Sequence, residues 1–285
     1  MSEEKKTLKQ NVKELFEGCL TIPNLISLIR ICLIPVIAVL YYNNYIWWTV
    51  FVIFISGLSD AVDGKIIILG NTAKEKQTIK KVSTNSKDDL HDSLFVPIIG
   101  ERVDAHNFIK DAFTNGAVIA FTSRHQSIED VKNDVSLNDI LDSDRYGHCI
   151  LISVKNTLVA LQQLASYYRD KFDLPVIGIS GSVGKTTTKE LIAATLSVKY
   201  NVVSTAGNLN NHIGVPLTLL RINENTQAAV IEMGASAPGE IETLVNLVCP
   251  SFGLITNVGK AHLLGFGSFE GVKKTKGELY DNLAR

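Results

Sequence analysis

A glycine-rich turn stands between an apolar run and a helical pattern in the second half of the chain. Residues 175–179 read PVIGI, which is typical of a buried strand, and residues 189–198 have helical periodicity. This arrangement predicts an α/β sheet with the turn at the carboxyl end of a strand. The turn, named here the phosphate loop, consists of Gly181, Ser182, Val183, Gly184, Lys185, Thr186 and Thr187.

The residue types of the phosphate loop predict a nucleotide site. Glycines let backbone N–H groups close around phosphate oxygens, and the start of the following helix adds its dipole. Lys185 would neutralise β- and γ-phosphate charge, and Thr186 can bind magnesium. The loop departs from the strict G-x-x-x-x-G-K-[ST] spacing because Ile179 occupies the first glycine position. An ordinary glycine turn at a strand–helix junction is the alternative interpretation.

The region around the phosphate loop alternates between short strand-like and helical patterns. Such alternation predicts an α/β fold with mainly parallel strands. The strand-like runs are residues 93–99, 117–121, 150–154, 227–231 and 252–256, and the helical patterns include residues 108–115 and 157–172.

Two side chains follow predicted strands at the sheet edge where α/β proteins bind ligands. Glu232 ends the strand at 227–231, and His262 comes after the strand at 252–256 and Asn257. A carboxylate and an imidazole there could complete magnesium coordination opposite the phosphate loop. For His262 alone, a histidine with a purely structural role is an equal alternative.

The charge balance excludes one class of partner. The chain has 28 Lys and Arg against 29 Asp and Glu, a formal net charge of -1. No nucleic-acid partner is expected, because general nucleic-acid binders need a surplus of cations. The four cysteines are far apart and predict small buried thiols in a reducing compartment.

The N-terminal part of the chain has a different composition. Between Gly18 and Ser59 the only charged side chain is Arg30. Residues 20–42 are long enough to cross a bilayer as a helix, and residues 45–58 form a shorter apolar run. We expect membrane association through residues 20–58, with the lysines before them on the cytoplasmic face. A buried helical hairpin in a cytoplasmic protein is the alternative.

Seven ordered motifs between residues 65 and 285 resemble the Mur ligases, specifically the type that joins D-alanyl-D-alanine to UDP-N-acetylmuramoyl-tripeptide. So many motifs in order are far more specific than a phosphate loop alone. They read VSTNSK (82–87), LFV (94–96), GERVDAH (100–106), the phosphate loop, GNLNNHIGVP (207–216), EMGA (232–235) and NVGKAHL (257–263).

The resemblance implies roles for individual residues. The phosphate loop would hold ATP, and Thr186, Glu232 and His262 would serve Mg²⁺. Ser86, Asn208 and Asn211 would contact substrate. Lys276 matches the lysine that Mur ligases carbamylate, although an unmodified lysine remains the alternative. The implied catalytic residues are Lys185, Glu232, His262 and Lys276.

The implied reaction is ATP-dependent peptide-bond formation. The carboxylate of the tripeptide takes the γ-phosphoryl group, and the D-alanyl-D-alanine amine then displaces phosphate. The resemblance also implies three parts: a membrane head (1–64), a UDP-sugar domain (65–165) and a central ATP domain (166–285) that is incomplete. Full turnover by this chain alone is not expected, and a complementing ligase half is a possible partner. A membrane-anchored nucleotide-binding module without turnover is the alternative.

Departures from the Mur ligase pattern affect the predicted UDP-sugar site. Asn85-Ser86-Lys87 replaces the usual Asp-Ser-Arg, which removes a planar bidentate donor. Ala105 stands where a glycine usually precedes His106.

The head resembles the start of the CDP-alcohol phosphatidyltransferases. The resemblance lies in Ile22-Pro23-Asn24-Leu25, in Arg30 and in the segment SDAVDG (59–64). That family's signature continues with Ala and Arg where this chain has Ile67 and Ile68, and then needs two further aspartates. Asp60 and Asp63 alone could not hold two cations against a diphosphate. We therefore expect no transferase activity.

Overall fold

A computed structural model gives the fold. It describes residues 66–68, 79–137, 140, 146, 149–259 and 263–283, which all belong to one compact unit, Asp63–Arg285. The predicted membrane segments at 20–58, and with them the head, lie outside the described residues, as does His262. Within the described part of the chain, no helix has the length and hydropathy needed to cross a membrane.

The first sheet has five strands in the order β1-β5-β4-β3-β2. Strands β2 to β5 pair in parallel, whereas β1 pairs antiparallel to β5, with Ile67 opposite Leu151. The residues that depart from the transferase signature, Ile67 and Ile68, therefore lie in a strand of this sheet. The strands are β1 (Ile66–Ile68), β2 (Lys81–Ser83), β3 (Ser93–Phe95), β4 (Ala117–Thr122) and β5 (Ile150–Ser153).

Short helices cover the first sheet. A 3₁₀ helix (Ala105–Phe108) leads into α1 (Ile109–Thr114), and α2 (Ile128–Asn133) follows β4. The helix α2 begins with a capping box, in which Ser127 and Asp130 each accept a hydrogen bond from the other's backbone N–H. The core beneath them buries apolar side chains, among them Leu90, Phe95, Ile109, Phe113 and Leu151.

The second sheet has four parallel strands in the order β7-β8-β6-β9. These strands are β6 (Val176–Ser180), β7 (Val202–Ser204), β8 (Ala228–Glu232) and β9 (Phe252–Ile255). The helices around them are α3 (Thr157–Arg169), α4 (Lys185–Ser197), α5 (Gly214–Leu219), α6 (Glu240–Val248), α7 (Leu263–Phe266) and α8 (Phe269–Asp281).

Helices pack on both faces of the second sheet, which explains why the inner strand β8 is apolar up to its last residue, Glu232. Every residue of β8 is buried, and successive side chains alternate between the two faces. Val230 packs with Ala193 of α4, whereas Ile231 packs with residues of α3, α5, α6 and α8.

The α/β class with mainly parallel strands is confirmed, and the element ends differ in detail. The strand predicted at 93–99 ends at Phe95, because Pro97 cannot donate a hydrogen bond to a neighbouring strand. The helix predicted from Lys189 already begins at Lys185, within the phosphate loop and directly after Gly184. The predicted division between the last two domains near residue 165 falls inside α3 and stays a prediction.

One of the two described cysteines differs from the expectation of buried thiols. Cys149 is buried, which raises the pKa of its thiol to about 12. Cys249 is exposed, because it ends α6 in a left-handed conformation with φ 45° that turns it out of the core.

Candidate nucleotide site

The phosphate loop requires glycine at two positions. Gly181 has φ 138°, and a Cβ atom there would collide with the Thr256 hydroxyl oxygen. Gly184 has φ 82° and directly precedes α4. Side chains rarely adopt these angles, so the two glycines allow the chain to turn from β6 into the helix within four residues.

The loop is held by hydrogen bonds from the segment after β9. The N–H groups of Ser182 and Val183 donate to the backbone and side-chain oxygens of Asn257, both at 3.1 Å. The Nζ of Lys185 donates to the carbonyls of Gly181 at 2.9 Å and Ser182 at 3.3 Å. These donors therefore have protein partners, which a bound phosphate group would have to replace.

The carboxylate of Glu232 joins the end of β8 to the start of α4. Its Oε1 accepts hydrogen bonds from the hydroxyl of Thr186 at 3.2 Å and from the amide of Asn210 at 2.7 Å. The backbone N–H of Gly234 in turn donates to the Asn210 carbonyl at 2.7 Å. The structure thus brings together Thr186 and Glu232, the two predicted magnesium residues that it describes.

The second carboxylate oxygen of Glu232 meets a test for a metal ligand. Glu232 is 1% exposed, and its Oε2 has no hydrogen-bond partner among the described residues. An unpaired buried carboxylate oxygen is costly unless a cation or donor satisfies it. Magnesium prefers oxygen ligands, and the Thr186 hydroxyl lies beside this carboxylate. The residues present therefore fit Mg²⁺.

A cavity of about 540 Å³ opens beside the phosphate loop. Two lysines line it: Lys185 from the start of α4 and Lys276 from α8. The remaining lining comes from the segments that follow β6, β7 and β8 and from the helices α6 and α7. These residues are Gly181, Ser182, Asn210, Asn211, His212, Gly234, Ala235, Ser236, Glu240, Thr243, Leu244 and Phe266.

Lys276 is buried beside this cavity. Burial, together with the positive charge of Lys185, lowers the pKa of the Lys276 ammonium group from its usual 10.5 to about 8. Glu240 and Glu278 act in the opposite direction and raise this pKa. The Nζ also lies 5.5 Å from the centre of the Phe266 ring. Lys276 is therefore far closer to deprotonation at neutral pH than a surface lysine.

Two glutamates hold the cavity wall at the start of α6. Glu240 accepts hydrogen bonds from the N–H groups of Ser236 at 2.6 Å and Ala237 at 3.1 Å. Glu278 of α8 accepts from the N–H groups of Gly239 and Glu242, both at 3.0 Å. Negative charge at a helix start is favourable, so these contacts fix α6 relative to α8 and the cavity.

Of the other predicted site residues, some line the cavity and others do not. Asn211 lines the cavity, but its side-chain oxygen accepts from the N–H groups of Ile213 and Gly214 and so caps α5. Asn208 is exposed and is not part of the cavity lining. Thr187 is exposed on the first turn of α4. The predicted role of His262 cannot be compared with the structure, since it lies outside the described residues.

Ser86, predicted to contact the UDP-sugar, belongs to the first sheet. It follows β2, is 9% exposed, and its carbonyl accepts a hydrogen bond from the Asn115 amide at 2.7 Å. It does not line the cavity beside the phosphate loop. Its role in binding the UDP-sugar stays a prediction.

The end of the motif at 100–106 forms a hydrogen-bond network near β4, centred on the buried His106. His106 bonds Asp104 through Nδ1 at 2.6 Å, and its Nε2 accepts from the Ser123 N–H at 3.1 Å. Burial lowers the pKa of His106, which keeps the ring neutral and able to accept that bond. The guanidinium of Arg124 also contacts Asp104 at 2.6 Å. The network therefore fixes the loop after β4.

Sequence reasoning missed two residues of the site. Asn210 stands inside the quoted motif at 207–216, yet its neighbours Asn208 and Asn211 were the predicted contacts. The helical pattern at 189–198 gives Lys189 no role, although the structure buries it completely. The charge of Lys189 on an otherwise core-facing helix position was the available signal, since lysine is rarely buried without a partner.

Comparison with known proteins gives two family matches. The Mur ligase middle domain matches residues 179–285, and the CDP-alcohol phosphatidyltransferase family matches residues 20–66. The UDP-N-acetylmuramoyl-tripeptide--D-alanyl-D-alanine ligase of Bacillus subtilis (strain 168) is 40% identical over 215 residues. That alignment covers 75% of this chain and 44% of the relative.

Solved structures similar to this one include MurF proteins from two organisms. A crystal structure of MurF from Acinetobacter baumannii has a TM-score of 0.65 and 34% identity, covering 80% of this chain and 46% of that chain. MurF from Thermotoga maritima in complex with ADP has a TM-score of 0.60 and 33% identity, covering 74% and 45%. The chain therefore spans less than half the length of these relatives.

Proposed function

We propose that this chain acts in ATP-dependent peptide-bond formation in peptidoglycan precursor synthesis. The match of residues 179–285 to the Mur ligase middle domain supports this, as does the 40% identity of 75% of the chain's length to a D-alanyl-D-alanine ligase. The substrates proposed are UDP-N-acetylmuramoyl-tripeptide and D-alanyl-D-alanine, the pair in the relative's name. ATP and Mg²⁺ are the proposed cosubstrate and cofactor. The MurF of Thermotoga maritima, which was solved with ADP, supports the nucleotide part of this proposal.

One observation carries the proposal: the meeting of Thr186 and Glu232 beside Lys185. Lys185 and Thr186 come from α4 and Glu232 from β8. Together they place a cation, a hydroxyl and a buried carboxylate oxygen, which no described residue hydrogen-bonds, around one end of the phosphate loop. Nucleotide triphosphates with magnesium need this combination of oxygen ligands and positive charge. An ordinary glycine turn would not require the buried carboxylate.

The residues of the chain act mainly by positioning and by charge. In the proposed reaction the Nζ of Lys185 leaves the loop carbonyls and contacts β- and γ-phosphate oxygens, and the loop N–H groups orient the same phosphates. Glu232 and Thr186 would hold Mg²⁺, which supplies charge neutralisation at the transferring phosphoryl group when bound. Lys276 faces Lys185 across the cavity, where the reacting carboxylate would lie.

Covalent chemistry takes place between the substrates. The tripeptide carboxylate oxygen attacks the γ-phosphorus, the bond to ADP breaks, and an acyl phosphate forms. The amine of D-alanyl-D-alanine then attacks the acyl carbon, phosphate leaves, and the amine loses a proton. Neither step needs a nucleophile from the protein, which agrees with a site built of cations, N–H donors and carboxylates.

The head is proposed to attach the chain to the cytoplasmic face of the membrane through residues 20–58. The apolar composition of this segment and its match to the CDP-alcohol phosphatidyltransferases, a family named for lipid chemistry, support the proposal. A cytoplasmic location without attachment is the alternative. Fractionation of cells that express the full chain tests it, and quantitative recovery in the low-salt soluble fraction would exclude the attachment.

The ligase proposal is tested with the purified full chain, ATP, Mg²⁺ and both substrates. One arm contains the chain alone, and a second adds a complementing ligase half from the Bacillus subtilis relative. Formation of the pentapeptide product in either arm, lost with Lys185→Ala, is the expected result. Magnesium-dependent ATP binding without product in both arms would instead favour a nucleotide-binding module. Absence of ATP binding would overturn both.

A further inference from the structure

Lys189 is a buried cation that the proposed reaction does not use. It lies in the second turn of α4, one turn after Thr186, and its side chain is completely inaccessible to solvent. Removing a lysine from water is costly unless its Nζ finds good partners. A buried lysine in the helix that follows the phosphate loop is therefore expected to have a specific structural or functional role.

The partners of Lys189 connect α4 to the end of β7. Its Nζ donates to the backbone carbonyl of Thr205 at 2.7 Å and to the Glu190 carboxylate at 2.5 Å. Glu190 is largely exposed, so Thr205, which is 1% exposed, is the buried partner. Thr205 directly follows β7, at the same sheet edge as the phosphate loop.

Thr205 in turn holds the backbone of the metal-ligand candidate. Its hydroxyl oxygen accepts a hydrogen bond from the N–H of Glu232 at 2.9 Å, and its own N–H donates to the Val230 carbonyl at 3.1 Å. Lys189 and Glu232 thus attach to one residue, Thr205. The Glu232 side chain accepts a hydrogen bond from Thr186 on α4. Lys189 lies on the same helix, so the contacts that run from Lys189 through Thr205 and Glu232 return to α4.

We propose that Lys189 is a positioning residue, which sets the place of the Glu232 carboxylate through Thr205 and so governs magnesium affinity at the site. This inference rests on the proposed function, because it takes Glu232 as a magnesium ligand. Lys189 does not touch nucleotide or metal. It fixes the distance between the end of β7 and α4. Through the hydrogen bond between Thr205 and Glu232, it also sets the distance between the oxygen ligands on α4 and β8.

The expected effect of removing Lys189 is a loss of metal affinity with little loss of nucleotide affinity. Residues that orient metal ligands typically change metal affinity by about 10- to 100-fold when they are replaced. The phosphate loop keeps its own supports from Asn257, which Lys189 does not contact. A purely structural role would instead weaken nucleotide binding equally with and without metal.

The experiment measures ADP affinity of the full chain by calorimetry, with Mg²⁺ and with a chelator. The Mg²⁺ enhancement of ADP affinity is expected to fall about tenfold in Lys189→Met, while the affinity in chelator stays within about twofold of the parent. Lys199→Met, which removes an exposed lysine after the same helix, is expected to change neither value.

A second pair of variants covers the case in which Lys189→Met does not fold. Thr205→Val keeps the shape of the side chain and removes the oxygen that accepts from Glu232, whereas Thr205→Ser keeps that oxygen. The Mg²⁺ enhancement should fall in Thr205→Val and persist in Thr205→Ser. Equal enhancement in both Thr205 variants, or in Lys189→Met and parent, would overturn the positioning role.

The outcomes also separate this inference from the proposed function. If the parent chain binds ADP without any Mg²⁺ enhancement, the assignment of Glu232 as a magnesium ligand fails, and the positioning role fails with it. If the parent shows the enhancement and both Lys189→Met and Thr205→Val retain it, the proposed function stands and the positioning role alone is wrong. A parallel loss of affinity in chelator and in Mg²⁺ would likewise overturn it.

Discussion

The hydroxyl of Thr186 donates a hydrogen bond of 3.2 Å to the carboxylate of Glu232, although 46 residues separate them in the chain. The contact links the first turn of α4 to the last residue of β8. Parallel strands that share a sheet bring their carboxyl ends to one edge, which is how two distant residues become neighbours. This meeting point is the centre of the candidate site, and the first two predictions concern its charges.

Replacing Lys185 with alanine should remove magnesium-dependent ATP binding. The substitution deletes the cation that faces the phosphates, and hydrogen bonds to charged groups contribute about 1.5–3 kcal/mol, which is about 10- to 100-fold in affinity. Equilibrium binding of a fluorescent ATP analogue measures the effect. Lys199→Ala removes an exposed lysine and serves as the control. Unchanged affinity in Lys185→Ala would contradict the assignment of the phosphate loop.

Glu232→Gln should weaken magnesium binding without lowering the stability of the fold. Glutamine keeps an oxygen for Thr186 and Asn210 but lacks the charge that Mg²⁺ requires, so the Mg²⁺ enhancement of ADP affinity should fall at least about tenfold. The free energy of unfolding without metal should stay equal or rise, because a neutral amide costs less to bury than an unpaired carboxylate. Calorimetry and urea unfolding measure the two quantities. Glu224→Gln, at an exposed position, is the control.

Two outcomes would contradict the assignment of Glu232 as a magnesium ligand. A Glu232→Gln protein that keeps the full Mg²⁺ enhancement would show that the carboxylate is not a metal ligand. A large drop in the free energy of unfolding would show that the charge is satisfied within the folded protein. Calorimetry therefore tests whether Oε2 binds the metal, and urea unfolding tests whether Oε2 lacks a partner in the metal-free protein.

The sequence could predict the Thr186–Glu232 meeting because strand order and loop position follow general rules. A buried strand, a glycine turn and a helix fix where Lys185 and Thr186 lie, and the carboxyl-edge rule places Glu232 nearby. The same rules predicted the α/β class. They describe backbone topology, which depends on short-range patterns that can be read along the chain.

The hydrogen-bond partners of individual side chains could not be predicted from the sequence, because they depend on rotamers and on the twist of the sheet. Asn210, rather than Asn208 or Asn211, reaches Glu232, and consecutive loop positions give no sign of which one turns inward. The antiparallel pairing of β1 with β5 is likewise a contact between segments more than eighty residues apart. Lys189 carried a signal of charge in a helix, but its partner Thr205 follows from packing alone.

The capping of α6 by Glu278 yields a stability prediction. Its carboxylate accepts two N–H groups at the start of that helix, and loss of such a cap costs about 1–2 kcal/mol. Glu278→Ala should therefore lower the free energy of urea unfolding by that amount. The control is Glu270→Ala, because Glu270 lies on α8 like Glu278 but is largely exposed, and its bond to Lys273 is a surface pair. Equal effects of the two substitutions would contradict the capping role.

The lowered pKa of Lys276 predicts that stability depends on pH in a defined window. In the unfolded chain this lysine loses its proton near 10.5, whereas in the folded protein it does so near 8. Between those values the unfolded state holds more protons, so the free energy of unfolding rises with pH. Below about pH 8 both states are protonated, and the full cost of burying the charge remains.

Lys276→Met should accordingly be more stable than the parent at pH 7 and lose that advantage at high pH. A pKa shift of this size corresponds to about 3 kcal/mol, from which lost contacts subtract. Urea unfolding of both proteins at several values between pH 7 and 10.5 measures the difference. Lys274→Met, at an exposed position on the same helix, controls for the general effect of removing a charge. A stability difference that stays constant across this range would show that Lys276 keeps an ordinary pKa in the folded protein.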